Sequence, residues 1–512
     1  MDSHSVPAPS ASLPYPEFLS RYRDKLKQMF HDRADANNLA LSRGLPPFVM
    51  REIRSCDPLS VWIPSEYGGR GGKTAECIAM LAASSYESLA LSLTFGINGA
   101  LFLQPVGRYG DESVKRAVYH RVIHGKAMGG LMITEPDYGS DALSMKTSYT
   151  TSGETHHIQG TKHWGGLTGW ADFWLITARP ADSEGQLGRD IDFFVCDATQ
   201  PEQHVVVEEV YENLGLYMIP YGKNLIDIRV PAAQRLKPES TGIKMMLDIL
   251  HRSRIEFPGM AMGFLHRIMD EGIRHCRERL VGGKSLFTYD QVQERLARLQ
   301  AYFTTCSAMC AFTSENVSLA DNMAKHSIPA NTIKTVATDM MQEASQSLLQ
   351  LFGGKGYRLD SFAGRATVDS RPFQIFEGSN DILYQQISEA ILKTMRRAKE
   401  PHLGRFLGEF EYSQRVADRL KGLADFQVDF SQPQRKLVEL GKALSRIFSM
   451  DLTARLGERG FRPDLIESAL KIFQTDVSRI LTGYRGSMEE SVEVDYRDGG
   501  DWLALGYPGV PG

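Results

Sequence analysis

Cysteine is scarce in this chain. Six occur in 512 residues, at positions 56, 77, 196, 276, 306 and 310, and none falls in a CxxC or other ligand-like spacing. That pattern argues against a disulfide framework and against a zinc site. A reducing, cytoplasmic setting is expected, with no metal. Cys306 and Cys310 stand four apart and share a helix face, where core packing is the expected role rather than redox chemistry. Charge of one sign is also missing: 58 Lys+Arg stand against 62 Asp+Glu, for a formal net charge of −4. No global basic field gathers nucleic acid or anionic lipid. No apolar run stands out at the roughly 20 residues a membrane span needs. The opening MDSHSVPAPSASLPYPEF lacks a charged start followed by an apolar core. The chain is read as neither secreted nor membrane-spanning.

What is there is an ordinary globular composition, 42% hydrophobic and 23% charged, long enough for several domains. Residues 1–125 show mostly helical spacing, as in Phe18, Tyr22, Leu26 and Phe30, and predict a helical domain. Inside it, VWIPSEYGGRGGK carries Gly68, Gly69, Gly71 and Gly72, which suit a flexible turn or a ligand-contacting loop equally. Residues 126–240 hold short β-rich runs (SYTTSGETHHIQGTKHW, FWLITARP, IDFFVCDA, HVVVEEVYENLG) separated by turn residues, and predict an antiparallel sheet or small barrel. Helical periodicity returns over 241–398, with stretches at 264–279, 289–316 and 333–352 that read as a bundle of long antiparallel helices. Residues 399–512 add two amphipathic helices, 434–456 and 463–484, before a Gly/Pro tail. The class is α+β in an α, β, α order.

Four stretches carry candidate chemistry. LMITEPDYGSDALSMK, residues 131–146, offers Thr134, Gly139 and Ser140. Two hydroxyls and a bare backbone suit a flat heteroaromatic ring and its phosphates, and a turn capped by Ser140 and Asp141 fits the same spacing. GTKHWGGLTGWAD, residues 160–172, sets Trp164 before Gly165 and Gly166, as a stacking platform for a planar cofactor or as a core tryptophan. LLQLFGGKGYRLDSF, residues 348–362, ends a long helix in a GGxG break, which a helix C-cap also favours. QIFEGSND, residues 374–381, places the single carboxylate Glu377 between an aromatic residue and a glycine.

Taken in order, ITEPDYGSD (133–141), GTKHW (160–164), LFGGKGY (351–357) and QIFEGSND resemble the flavin-dependent acyl-CoA dehydrogenase family, over roughly residues 15–395. The resemblance implies an N-terminal helical domain, a middle β-barrel domain and a C-terminal four-helix bundle, here with an extra helical extension. It implies FAD as cofactor and oxidation of a saturated acyl thioester, on coenzyme A or an acyl carrier, to its 2,3-enoyl form. Glu377 would be the base and flavin N5 the hydride acceptor. Leu131, Ile133, Thr134, Gly139, Ser140, Trp164, Gly165 and Gly166 would meet FAD, with Ser379 and Asn380 after the base. Arg279, in RERLVGGK, would reach FAD across a subunit interface, together with Gln350, Phe352, Gly353 and Gly354. Arg254, in HRSRIEFPG, would stand close to the thioester, where Ser140 and Gly378 also face the substrate. A homodimer or homotetramer and an electron-transfer flavoprotein partner follow.

The physical reading of Glu377 agrees with that role. Removing a Cα proton and a Cβ hydride requires one base and one acceptor on opposite faces of the chain. A glutamate near pKa 4.3 rises towards the working range of a base in an apolar pocket, to which Ile375 and Phe376 would contribute. Gly378 would let backbone approach the ligand, and the base's own N–H would polarise the thioester carbonyl. A helix-capping glutamate is the bland alternative. Three positions depart from the family: Gly166 replaces a threonine that bonds the flavin, Gly282 replaces a phenylalanine, and Val368 replaces the arginine of an RD pair, leaving Asp369. Two other functions stay open, an acyl-CoA oxidase using oxygen and a DNA-associated protective flavoprotein of the same fold. The stretch 401–512 carries 15 Lys+Arg against 17 Asp+Glu, a balance of −2, so phosphate attraction is not favoured.

Overall fold

The computed structural model describes residues 10–486 and 491–494. The first nine residues of the opening stretch and most of the Gly/Pro tail lie outside the described residues. Helices α1 (Tyr15–Lys27), α2 (Ala36–Leu41), α3 (Pro47–Arg54), α4 (Thr74–Glu87), α5 (Leu89–Gly96), α6 (Gln104–Tyr109) and α7 (Glu112–Ile123) come first. A π-helical segment, Ile97–Leu103, fuses α5 and α6. The fused stretch, Leu89–Tyr109, corrects the expectation that no run is long and apolar enough to cross a membrane; 94% of its apolar window is buried inside the protein. The Gly68–Gly72 loop takes the turn reading. A side chain at Gly69 would overlap the Ile63 carbonyl, and Arg70 binds Glu76 at 2.8 Å and the Ser10 and Leu13 carbonyls.

Seven strands follow: β1 (Gly129–Met132), β2 (Ser148–Ser152), β3 (Thr155–Gly166), β4 (Phe173–Pro180), β5 (Asp192–Asp197), β6 (His204–Val210) and β7 (Tyr221–Pro231). They form one curled sheet in the order β1-β4-β2-β3-β7-β6, with β5 on β4. Most pairs are antiparallel, but β1 and β2 both meet β4 in parallel, where a wholly antiparallel sheet was expected. Alternation of apolar and polar residues reports which face a side chain takes and carries no information on strand direction.

The bundle consists of α8 (Gly242–Glu278), α9 (Asp290–Asn316), α10 (Ser327–Phe352), the short α11 (Phe362–Ser370) and α12 (Asn380–Ala398). A hairpin of β8 (Leu280–Val281) and β9 (Lys284–Ser285) joins α8 to α9. Its turn is Gly282–Gly283, with φ 56° and 77°, a left-handed pair that a bulky residue at 282 would strain. The Thr313 hydroxyl donates to the Ile255 carbonyl near one end of α9, and Leu296 lies against Gly272 near the other; α9 thus runs antiparallel to α8. Helix α10 runs parallel to α8, because Arg254 meets Asn331 and His275 stacks on Phe352 at 4.0 Å. The Cys306 thiol donates to the Pro258 carbonyl from a fully buried position, the packing role expected of it.

Beyond α13 (Leu403–Glu409), α14 (Gln434–Glu458) and α15 (Pro463–Arg485) form a helical hairpin. It is part of the packed body: Thr453 binds Thr305 at 3.2 Å, Arg298 binds Asp476 at 2.8 Å, and Ser388 donates to the Leu437 carbonyl at 2.6 Å.

Candidate active site

Glu377 ends the loop between α11 and α12, and both it and Gly378 are left-handed, at φ 55° and 90°. A non-glycine residue in that region costs of order 1–3 kcal/mol. Two buried cations hold it there. Arg254 Nε donates to the Glu377 carbonyl at 2.8 Å and its Nη1 to Asn331 Oδ1 at 2.8 Å. Lys334 Nζ donates to the Gly378 carbonyl at 2.9 Å and to Asn380 Oδ1 at 2.8 Å. Hydrogen bonds from charged donors contribute about 1.5–3 kcal/mol each, so the two together outweigh the strain.

The carboxyl itself is sparsely held. Ser253 Oγ donates to Glu377 Oε1 at 3.0 Å, and Oε2 is shielded from solvent with no hydrogen-bond partner among the described residues. Burial pushes Glu377 up to about 7 against the pull of Arg254, Ser253 and Lys334, with the Glu256 carboxyl adding a further push upward. Burial also drives Lys334 down to about 7 and Arg254 down to about 10. Glu256 is buried between Gln104 Nε2 at 2.6 Å and Trp62 Nε1 at 3.3 Å, which ties the N-terminal helices to the same site. Phe376 packs against Phe373 and Phe257, at 4.9 and 6.1 Å between ring centroids. Ile375, expected to share that apolar role, points outward and is 57% exposed.

On the sheet, Trp164 sits where β3 slips register against β7 and is itself left-handed at φ 57°. A bulge of this kind re-aims the side chain. The indole is 49% exposed, 4.7 Å from the Tyr211 ring, and so is not a core tryptophan. Gly165 and Gly166 behind it are buried. The loop with Thr134, Gly139 and Ser140 is tied down by a pair the sequence reading passed over: fully buried Lys162 donates to Glu135 Oε1 at 3.0 Å and to the Ile133 carbonyl at 3.1 Å. Burial lowers Lys162 to about 8. Glu135 in turn accepts the Lys146 and Thr147 amides. Leu131 lies in β1, opposite Leu175 of β4. The loop leaves open space around Gly139.

Arg279, Gln350, Phe352, Gly353 and Gly354 gather elsewhere, at the joined C-terminal ends of α8 and α10. Arg279 and Gln350 are exposed, and a side chain at Gly353 or Gly354 would meet nothing within 4 Å. This end lies roughly 25 residues along α8 from Arg254, about 37 Å at the helical rise per residue. Asn380, expected to meet the cofactor, is buried and spends its side chain within the bundle, on Lys334, Thr338 and Asp339. Ser379 begins α12 beside it, half-buried.

Three family models match in succession: acyl-CoA dehydrogenase N-terminal domain over 18–126, middle domain over 130–227 and C-terminal domain over 240–392. The chain belongs to the acyl-CoA dehydrogenase family. This is a family of FAD-dependent oxidoreductases. The chain is 23% identical over 390 residues to the mitochondrial very long-chain specific acyl-CoA dehydrogenase of Macaca fascicularis, across 75% of this chain and 59% of that protein. It spans less than two thirds of the length of such relatives. Butyryl-CoA dehydrogenase from Megasphaera elsdenii shares the fold at TM-score 0.66 and 21% identity, over 77% of this chain and 100% of that one. An acyl-CoA dehydrogenase complexed with FAD from Bacillus anthracis reaches TM-score 0.74 at 17% identity, over 92% of this chain and 87% of that one. The larger coverage shows that the α14–α15 extension too has a counterpart in a solved structure.

For a member of the acyl-CoA dehydrogenase family, two departures have structural reasons here. Asp369, left without an arginine at 368, accepts the Leu216 amide at 2.6 Å and lies 3.8 Å from Arg365, fastening the bundle to the sheet. Gly166 is closely overlaid: a side chain there would stand 2.7 Å from Ile97 Cδ1 and 3.3 Å from Tyr221 Cε1. The residues present fit FAD at both ends, with an exposed indole beside a glycine pair at one and bare, unobstructed glycine backbone at the other.

Proposed function

We propose that this chain oxidises a saturated acyl thioester to its 2,3-enoyl form, with Glu377 removing the Cα proton. The observation that carries the reading is the Glu377 carboxyl: pushed up to about 7, with Oε2 shielded from solvent and unpaired among the described residues. A buried polar atom without a partner is rare in a native protein, and an oxygen of this basicity is suited to receive a proton at neutral pH. Bound FAD supplies the hydride acceptor. Thr134, Ser140 and Trp164 to Gly166 would hold its ring side from this chain. Arg279, Gln350, Phe352 and Gly353, about 37 Å of helix away, would serve the FAD of a second chain, which supports a homodimer or homotetramer. Exposed Leu280 and Tyr357, at 67% and 83%, flank that same end. Arg254 and Lys334 keep the base's backbone fixed while Ser253 orients its carboxyl.

Coenzyme A is the proposed thioester carrier, in keeping with the relatives' names, and an electron-transferring flavoprotein the proposed electron acceptor. Six free thiols support the cytoplasmic reading. The test is dye reduction by the purified flavoprotein against saturated acyl-CoAs of graded length, repeated with Glu377→Gln. Turnover on at least one acyl-CoA that disappears in the variant, with FAD retained, is expected. A variant keeping more than about a tenth of the activity removes Glu377 from the role, since losing a general base costs about 10² to 10⁴-fold.

A further inference from the structure

Gly166 and Glu377 belong to different domains, and one aromatic side chain is linked to both. Tyr221 opens β7 directly opposite Gly166 in the ladder. Its ring edge stands 3.3 Å from where a Gly166 side chain would begin, and its centroid is 6.1 Å from Trp164. The phenol keeps part of its surface accessible, and no protein group among the described residues hydrogen-bonds its hydroxyl. Burial raises the pKa of its hydroxyl, and the Glu377 carboxylate adds to that, which puts the phenol within electrostatic reach of the base. A ring that packs against the Gly166 position and yet stays partly accessible is placed to border a cleft rather than to fill a packed core. Ile97, at the start of the π-helical segment, closes the other side, 2.7 Å from the same point.

The room that Gly166 leaves is therefore taken by Ile97 and Tyr221, and little of it is left for substrate. We propose that Tyr221 is a specificity-determining residue: its ring, backed by Ile97, walls the acyl slot beside Gly166 and admits unbranched chains ahead of chains branched next to the thioester. The assignment rests on the proposed thioester substrate. A rigid aromatic wall excludes an added methyl group with a discrimination of about 10 to 200-fold, and its removal leaves a space that the extra methyl fills.

The test is equilibrium binding of butyryl-, isobutyryl- and isovaleryl-CoA to the FAD-loaded protein by calorimetry, for chains with native Tyr221, Tyr221→Ala, Tyr221→Leu and Tyr221→Phe. Every chain in this comparison, the one with native Tyr221 included, also carries Glu377→Gln, so that no ligand is oxidised during the titration and the measurement reads the slot apart from the base. The chain with native Tyr221 is expected to favour butyryl-CoA over at least one branched ligand by about tenfold or more. Tyr221→Ala should close most of that gap, and Tyr221→Leu, which keeps apolar bulk and guards against a folding defect at alanine, part of it. Tyr221→Phe, which keeps the ring, should preserve it. Equal affinity for all three ligands with native Tyr221, or a gap unchanged in both Tyr221→Ala and Tyr221→Leu, overturns the proposal.

Discussion

The two ends of α8 are built on opposite principles. Around Arg254 the helix is buried on every side, and each cation there has an internal acceptor: the Glu377 carbonyl, Asn331, the Gly378 carbonyl, Asn380. Around Arg279 the chain is exposed, Gly353 and Gly354 are unobstructed, and the apolar residues Leu280 and Tyr357 are uncovered. The first end is complete within one chain and holds a reactive group in a strained geometry. The second is the end proposed to meet a second chain. Substitutions should therefore separate chemistry from assembly according to the end they touch.

The largest effect belongs to the buried end. Glu377→Gln is expected to lower dye reduction by about 10² to 10⁴-fold while flavin content and oligomeric state stay native. Flavin lost along with activity would break the comparison, since the base would then be holding cofactor.

At the exposed end, Arg279→Ala is expected to weaken FAD retention about 10 to 150-fold, the worth of one hydrogen bond from a charged donor, with turnover per bound flavin preserved. Because the contact is attributed to a second chain, flavin loss should deepen on dilution as the assembly dissociates. Sedimentation with flavin absorbance reads both at once. A monomer that retains one FAD per chain would show that this end serves no partner.

A smaller effect sharpens the account of the buried end. The native acid limb of kcat/KM should lie near pH 7, because Glu377 must be ionised to act and its pKa is pushed up to about 7. The Lys334 ammonium favours that carboxylate, so Lys334→Met should move the limb to higher pH. Activity at pH 7 is expected to fall about fivefold, the size of removing one neighbouring charge from a titrating carboxyl, and to recover as pH rises. An equal loss at every pH would mean that Lys334 matters only for the shape of the loop.

These residues also mark where the sequence was legible. Glu377, Trp164 and the Thr134–Ser140 loop each lie in a short contiguous motif, so the chemistry and its punctuation could be read side by side. The α, β, α order came through because period 3.6 and period 2 patterning occupy separate stretches. Ser253, Asn331, Lys334 and Tyr221 could not be read in this way. Each reaches the Glu377 loop from another element, Asn331 only by way of Arg254, and ANTIKTVATDMM contains nothing to say that its lysine is buried and bound to a loop 44 residues on. Arg279 was visible as a residue type but its distance from Arg254 was not, since that needs α8 to run unbroken through Pro258, where periodicity marked a helix only over 264–279. At Gly166 the missing side chain was seen, and its replacement was not, because Ile97 and Tyr221 arrive from a helix and a strand far away in the chain.

That last position yields the smallest prediction. Bare glycine beside Trp164 is by itself compatible with open space for a bulky substrate or with a backbone contact to the flavin; the Ile97 methyl at 2.7 Å from a Gly166 Cβ leaves little open space. Gly166→Ala should consequently overpack the site and destabilise the protein by about 1 kcal/mol, the low end for an added methyl in a packed interior, because the obstructing atom is the tip of a flexible side chain. Ile97→Val removes that atom. In the Gly166→Ala background it should restore most of the lost stability although it weakens the native protein, a non-additivity expected only of residues in contact. Urea midpoints of the four proteins measure it, and strictly additive values would mean that Ile97 does not fill the place of the missing side chain.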